Sequence, residues 1–302
     1  MRRRRIVCVV AASVLTLSAS ACGNGSPPGG ETRSEGRGTP SEAIGAKDFD
    51  RTDFGDSTNI DNAWLPLKPG TQWVWEGHAF DGKERIRRRV VTTVTDLTKV
   101  VDGVRVVVAY DLDYSNGELG EAEIALFAQD SGGNVWHFGE YPEEYDGNKI
   151  VKTPAWISGV EGARAGIAMQ AAPQPGTPSY AEGWGPQVGW NDRAATYKVG
   201  ERICVPVDCY KDVLVTREFS RTEPGAFQLK YYAPDVGNVR VGWGGPNEEE
   251  REVLVLVDLV QLTPEALAKV RQEVLAQDRR GYEISKDVYG HTTPAEQALG
   301  AG

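Results

Sequence analysis

Histidine, methionine and cysteine are scarce in this chain, with three, two and four residues among 302. His78, His137 and His291 each stand alone, so a zinc site would lack its usual four His, Cys or acidic ligands. None of the three lies in a nucleophile context, and Ser or Cys triads need a histidine within reach. His137 alternates with Trp136 and Phe138 in a strand-like run, which points it to the opposite face as a half-exposed strand residue. No cofactor and no metal is expected, and no residue is assigned a catalytic role. Long apolar runs are missing too. The longest, from Ile6 to Ala21, covers about 16 residues broken by Ser13, Thr16, Ser18 and Ser20, short of the roughly 20 that span a bilayer. Positive charge is also in deficit, with 33 Lys and Arg against 43 Asp and Glu and a net charge of -10. Nucleic acid is therefore not an expected partner, because phosphate binding needs a net basic face. The one basic stretch, Lys83 to Arg89, places Lys83, Arg85, Arg87 and Arg89 on one strand face, a solvated row paired with acids of neighbouring strands.

What the N-terminus does contain is an ordered signal. Arg2 to Arg5 are basic, Ile6 to Leu17 are mainly apolar, and Ala19-Ser20-Ala21 precede Cys22. This order resembles a bacterial lipoprotein signal, which implies removal of residues 1–21 and acylation of Cys22 with diacylglycerol and palmitate chains. The expected location is the extracytoplasmic side of the cell membrane, with the lipid anchor as the membrane contact. Arg3-Arg4 leaves the choice between general secretory and twin-arginine export open. Loss of the four arginines takes the formal charge from -10 to -14. Residues 22–56, rich in Gly, Ser, Pro, Thr, Glu and Arg, read as a disordered tether with an average span of about 30 Å.

With Cys8 in the signal and Cys22 acylated, Cys204 and Cys209 remain for the folded part. They flank Val205-Pro206-Val207-Asp208, a hairpin connection, and a disulfide across it is expected in an oxidising envelope. All eight tryptophans lie between Trp64 and Trp243, marking one β-rich domain over 57–279, followed by a flexible tail over 280–302.

Strand patterns recur at hairpin spacing: 71–76, 84–97, 104–114, 119–129 and 134–140, then 193–204, 209–221, 227–232, 238–243 and 252–262. Asp81-Gly82, Asp102-Gly103, Asn116-Gly117 and Asp130 to Gly133 supply turns. If Asn116-Gly117 is a two-residue type I′ turn, Ser115 faces Glu118, Leu112 faces Glu121 and Tyr110 faces Glu123. Val104 to Tyr110 is apolar on both faces, the mark of a strand covered on both sides. The predicted class is all-β: an antiparallel meander forming a half-barrel, barrel or sandwich, with one C-terminal helix. That helix begins at a Thr263 cap with Pro264 in its first turn, and Leu267, Val270, Val274 and Leu275 form its apolar stripe. Between the two strand sets, Thr153 to Trp190 follows no period and carries four tryptophan or tyrosine residues, Trp156, Tyr180, Trp184 and Trp190. It reads as an ordered excursion over the sheet, either a plug or a lid.

Acidic clusters are plentiful: Glu118, Glu121 and Glu123 in one strand, and Glu140, Glu143, Glu144 and Asp146 after another. Paired carboxylates beside aromatics would suit glycoside chemistry. Asp130 to Asn134 starts like a calcium loop, but its twelfth position is Tyr141, which cannot chelate. Three segments, 62–71 (NAWLPLKPGT), 128–140 (AQDSGGNVWHFGE) and 230–239 (KYYAPDVGNV), look like a family of uncharacterised bacterial exported proteins and lipoproteins. The likeness runs from Ile60 to Val241 and implies no catalytic residue. The last segment is also similar to closing hairpins of envelope proteins that hold lipids in an open half-barrel. Three classes follow. The first is a non-enzymatic lipoprotein binding an apolar or amphiphilic small molecule against Trp73, Trp75, Trp136, Trp156 and Trp184. The second is a carbohydrate-active enzyme or glycan-binding module, and the third a structural or protein-interaction module.

Overall fold

A computed structural model describes residues 49–249 and 251–298. The expected signal peptide (1–21), Cys22 and the expected tether as far as residue 48 lie outside the described residues.

The β-branched and aromatic runs form strands as their alternation predicts. The first set is β1 (Thr71–Asp81), β2 (Glu84–Val101), β3 (Val104–Ser115), β4 (Glu118–Gln129) and β5 (Val135–Asp146). After it come β6 (Lys149–Lys152), β7 (Trp156–Ile157), β8 (Arg164–Met169), β9 (Tyr180–Ala181) and β10 (Gly183–Trp184). The second set is β11 (Arg193–Cys204), β12 (Cys209–Phe219), β13 (Phe227–Ala233), β14 (Gly237–Gly244) and β15 (Val253–Gln261). Two helices, α1 (Pro264–Ile284) and α2 (Lys286–Tyr289), and a short β16 (Glu296–Gln297) complete the chain. All strand pairings are antiparallel.

The strand order is β10-β8-β5-β4-β3-β2-β1-β15-β14-β13-β12-β11-β9. Two meanders are thus joined where β1 runs beside β15, with Thr71 opposite Gln261. The outer ends of the order, β9 and β10, are separated in sequence by Glu182 alone, so one stretch of chain carries both sheet edges and nearly closes a barrel. Close backbone approach holds that seam. A Cβ on Gly166 would sit 2.3 Å from the Gly183 nitrogen and 2.5 Å from the Ala181 oxygen. Within residues 153–190, β7 to β10 are therefore part of the sheet's wall rather than an excursion over it. These strands are two to six residues long, too short to show a period.

The Asn116-Gly117 turn has both residues at positive φ, 54° and 89°, as type I′ requires, and Ser115 does face Glu118. Beyond it the register differs from expectation. Gly120 is an extra, unpaired residue between Tyr114↔Leu119 and Asp113↔Glu121, so Asp113 faces Glu121 and Asp111 faces Glu123. A bulge inserts one residue and re-aims all that follow it. In β5 a second bulge falls at Phe138-Gly139, with Gly139 at φ 143°, so that His137 pairs with Phe127 and Glu140 with Ala125. Both side chains then point inward.

The β3 and β4 strands are buried on both faces, as Val104 to Tyr110 suggested. Their apolar face (Val106, Val108, Tyr110, Ile124, Leu126) lies outside the barrel, beneath α1 and α2. Thr263 caps α1 by accepting from the Ala266 backbone at 3.3 Å, and Val274 is fully buried. The helix is held by polar contacts as well. Arg280 donates to both oxygens of Glu143 at 3.0 and 2.7 Å, and Gln277 donates to the Ala122 and Tyr141 carbonyls. Buried Lys99 pairs with Asp278 and donates to the Tyr282 and Tyr289 hydroxyls at 3.1 and 3.0 Å. The segment 280–298, read from sequence as a tail, carries the end of α1, then α2 and β16, and anchors through Tyr289, which is fully buried. At the other end, Phe49 and Phe54 pack on Trp136 and Phe138 with centroids 5.3 to 6.0 Å apart, so the packed chain begins before residue 57. Cys204 and Cys209 form a disulfide across their hairpin.

Candidate functional site

The barrel lumen holds a cavity of about 130 Å³. Leu65, Leu67, Trp75, Val90, Val241 and Leu254 give it an apolar side, while Asp111, His137, Glu182, Lys230 and Glu252 give it a charged one. Alternate polar residues on a strand ordinarily face water, but the opposite face of β3 and β4 is covered by helices, so their carboxylates face the lumen.

Asp111 lies opposite Glu123, Asp113 opposite Glu121, and Glu121 opposite Glu144. Like charges in directly opposed positions repel, and burial compounds the cost by disfavouring the ionised form. Burial pushes Asp111 up to about 6, with the Thr92 hydroxyl and Lys230 restraining it. Burial and the neighbouring Asp113 and Glu144 push Glu121 up to about 8. Glu123 is raised well above the ordinary carboxylate range by burial, Glu140 and Glu121, and Glu140 by burial and Glu121. Across the lumen, burial and Glu218 raise Glu182 and lift Asp192 to about 7.

Two cations offset part of this charge. Arg88 pairs with Asp113 and lies 3.2 Å from Glu252, with all three side chains nearly inaccessible. Lys230 contacts Glu218 at 2.5 Å; burial would lower its pKa, but Glu218 and Glu182 hold it above the ordinary lysine value. His137 is only 1% exposed rather than half-exposed, because β8 and the Trp156-Trp190 pair cover it. Its ring stacks on Phe127 at 4.8 Å, and burial pushes its pKa down to about 3 against a backbone hydrogen bond to Gly139. Among the described residues the Nε2 atom makes no hydrogen bond, and Glu140 Oε1 lies 3.4 Å from it. Asp111 Oδ1 is likewise without a partner.

The five tryptophans singled out from sequence do not share one pocket. Trp73 and Trp75 share the inner face and stack at 6.5 Å, but only Trp75 lines the lumen cavity. Trp73 lines a second, rim cavity of about 190 Å³ with Val236 and Leu259. Trp136 packs outside, its indole donating to Asp130 at 2.9 Å. Trp156 stacks on Trp190 and donates to Glu140 at 3.2 Å, and Trp184 lies half-buried at the seam. The exposed faces of Arg85, Arg87 and Arg89 match the expected solvated row, with Arg89 paired to Glu76. Arg88, on the other face of β2, was missed, although its alternation with that row placed it inward. Asp130 accepts from the Asn134 backbone and side chain, which closes its turn without a cation. Among the described residues no group of three His, Cys, Asp or Glu side chains could hold a metal.

The three segments that carry the family resemblance meet at one end of the barrel. Asn62 donates to the Gly133 carbonyl at 2.8 Å, and the Asp235 backbone N–H donates to the Ala63 carbonyl at 2.7 Å. No known protein family and no curated protein matches the sequence. Among solved structures, the chain is similar to a candidate exported protein with a YmcC-like fold from Bacteroides fragilis, at TM-score 0.40 and 12% identity, covering 66% of this chain and 99% of that one. It is also similar to a candidate lipoprotein from Parabacteroides distasonis, at TM-score 0.38 and 14% identity, covering 66% and 100%. Likeness at this level bears on neither activity nor ligand.

Proposed function

We propose that this protein is an exported, lipid-anchored binding protein whose barrel lumen takes a small amphiphilic molecule without transforming it. The observation that carries the reading is the lumen cavity, unfilled by protein, with an apolar side and a charged side. Small-molecule sites combine such apolar walls with a few placed polar groups. Size sets the ligand class. An engineered cavity of about 150 Å³ takes benzene, so about 130 Å³ suits a compact molecule or a short alkyl chain rather than a whole lipid or an oligosaccharide. That also weighs against glycan hydrolysis, despite the opposed carboxylates.

Ligand-observed NMR on the full chain with butylamine, 1-butanol and butyrate tests the lumen. At least one is expected to bind, and Ala109→Leu or Ala168→Leu, each filling the cavity, should abolish that binding. Binding that survives both substitutions would place the ligand elsewhere. The anchor is tested separately, by mass spectrometry of the envelope protein: an acylated Cys22 as the mature N-terminus is expected, and a Cys22→Ser chain should lose its membrane attachment. An unacylated mature chain would remove the anchor from the proposal.

A further inference from the structure

The chemistry of the lumen wall specifies the polar end of the ligand, given the binding role proposed above. Among the described residues, the two cations at the lumen are already engaged: Lys230 contacts Glu218 at 2.5 Å, and Arg88 is shared between Asp113 and Glu252. The lining carboxylates Asp111 and Glu182 have no cation in contact with them in these pairs, although Lys230 acts on both at longer range. An incoming anion would raise those acids further and gain no free cation among the described residues, whereas an incoming cation favours their ionised forms.

A second feature is independent of the acidic groups. His137 is 1% exposed and lines the same cavity; its Nε2 makes no hydrogen bond, with Glu140 Oε1 3.4 Å away. Its other ring nitrogen is used by the backbone at Gly139, and the ring is neutral because burial depresses its pKa. In that tautomer Nε2 is an acceptor. Asp111 Oδ1 is a second partnerless acceptor on the same wall, on a side chain with 9% of the residue exposed. The cavity thus presents acceptors that the protein leaves unused, where a buried unsatisfied polar atom is costly.

A primary ammonium is the complementary group: three N–H donors, no acceptor, one positive charge. A divalent metal fits less well, because hard cations need six or more converging oxygens, and the described residues offer no three-ligand group. We propose that the lumen selects a small primary amine, its ammonium donating to Asp111, His137 and Glu182 while its hydrocarbon part lies against Trp75, Val90 and Leu254.

The isosteric probes butylamine, 1-butanol and butyrate, measured by titration on the full chain at equal ionic strength, decide this. Butylamine is expected to bind roughly tenfold or more tighter than 1-butanol, because hydrogen bonds to charged groups exceed neutral ones by about that much. Butyrate should show the weakest binding of the three. Asp111→Asn and, as a second isosteric variant, Glu182→Gln should each weaken butylamine several-fold and leave 1-butanol unchanged. Equal or tighter binding of 1-butanol, or unchanged butylamine affinity in both variants, overturns the amine inference and leaves the lumen reading standing. Binding of none of the three probes overturns both.

Discussion

Raising the pH from 6.5 to 8 is expected to weaken the fold, because the lumen carboxylates hold protons that the unfolded chain has already released. Asp111, Asp192 and Glu121 are raised to about 6, about 7 and about 8 by burial and neighbouring acids. For an acid with a raised folded pKa, the unfolded state binds fewer protons between its ordinary value and the raised one, so stability falls as pH rises through that window. His137 works in the opposite sense. Held down to about 3, it stays neutral while the unfolded histidine charges below about 6.5, so its contribution is present above that pH and is lost as pH falls. Below pH 6.5 the two effects oppose each other; above it, only the acids remain. Lys230, raised above the ordinary lysine value, contributes stability that fades only in strong alkali. One proton released from the coupled acidic set corresponds to about 1.4 kcal/mol per pH unit, or about 2 kcal/mol over this interval. Urea unfolding at pH 6.5 and 8.0 measures it, and Glu121→Gln should reduce the slope by removing one member of the set. A wild-type chain equally or more stable at pH 8.0 would refute the lumen electrostatics.

Three further perturbations separate the contacts described above. Arg88→Met leaves Asp113 and Glu252 buried without their shared cation, and a loss of about 3 to 5 kcal/mol is expected at pH 7; adding Asp113→Leu and Glu252→Leu should restore most of it, and urea midpoints report both. Gly166→Ala drives a Cβ into the 181–183 backbone, so a loss of at least 1 to 3 kcal/mol is expected, with amide exchange accelerated first at residues 180–184. Replacing Cys204 and Cys209 by Ala should cost about 2 kcal/mol in chemical denaturation, the loop between them being short.

Most strands, the capped start of α1 and the Cys204–Cys209 hairpin were legible from residues alone, because each has a local signature: alternation, a Thr-Pro start, a turn between cysteines. The candidate site was not. Its residues look like solvent-facing polar positions in a half-buried strand, and only the helices on the other face show which side is inside. The register depends on single unpaired residues, Gly120 and the Phe138-Gly139 step, and a bulge has no period to detect. The seam strands β9 and β10 are two residues each and gain their identity only from partners elsewhere in the chain. The anchored C-terminal segment was misjudged because its attachments are polar (Lys99, Asp278, Arg280), and polar composition reads as solvated.

The two junctions of the barrel wall differ sharply in how they can assemble. At the seam, β9 and β10 follow one another in sequence, so once one meander has formed, its neighbour is already tethered beside it. The β1–β15 junction instead requires Thr71 to meet Gln261, 190 residues away. Loop closure over that distance costs entropy that no local contact offsets in advance, and such non-local pairing slows folding. Each meander, by contrast, is built from consecutive hairpins and can form early. The rate-setting event in folding is then the late docking of β1 on β15, with open strand edges exposed until it happens. That interval is when the chain is most exposed to aggregation.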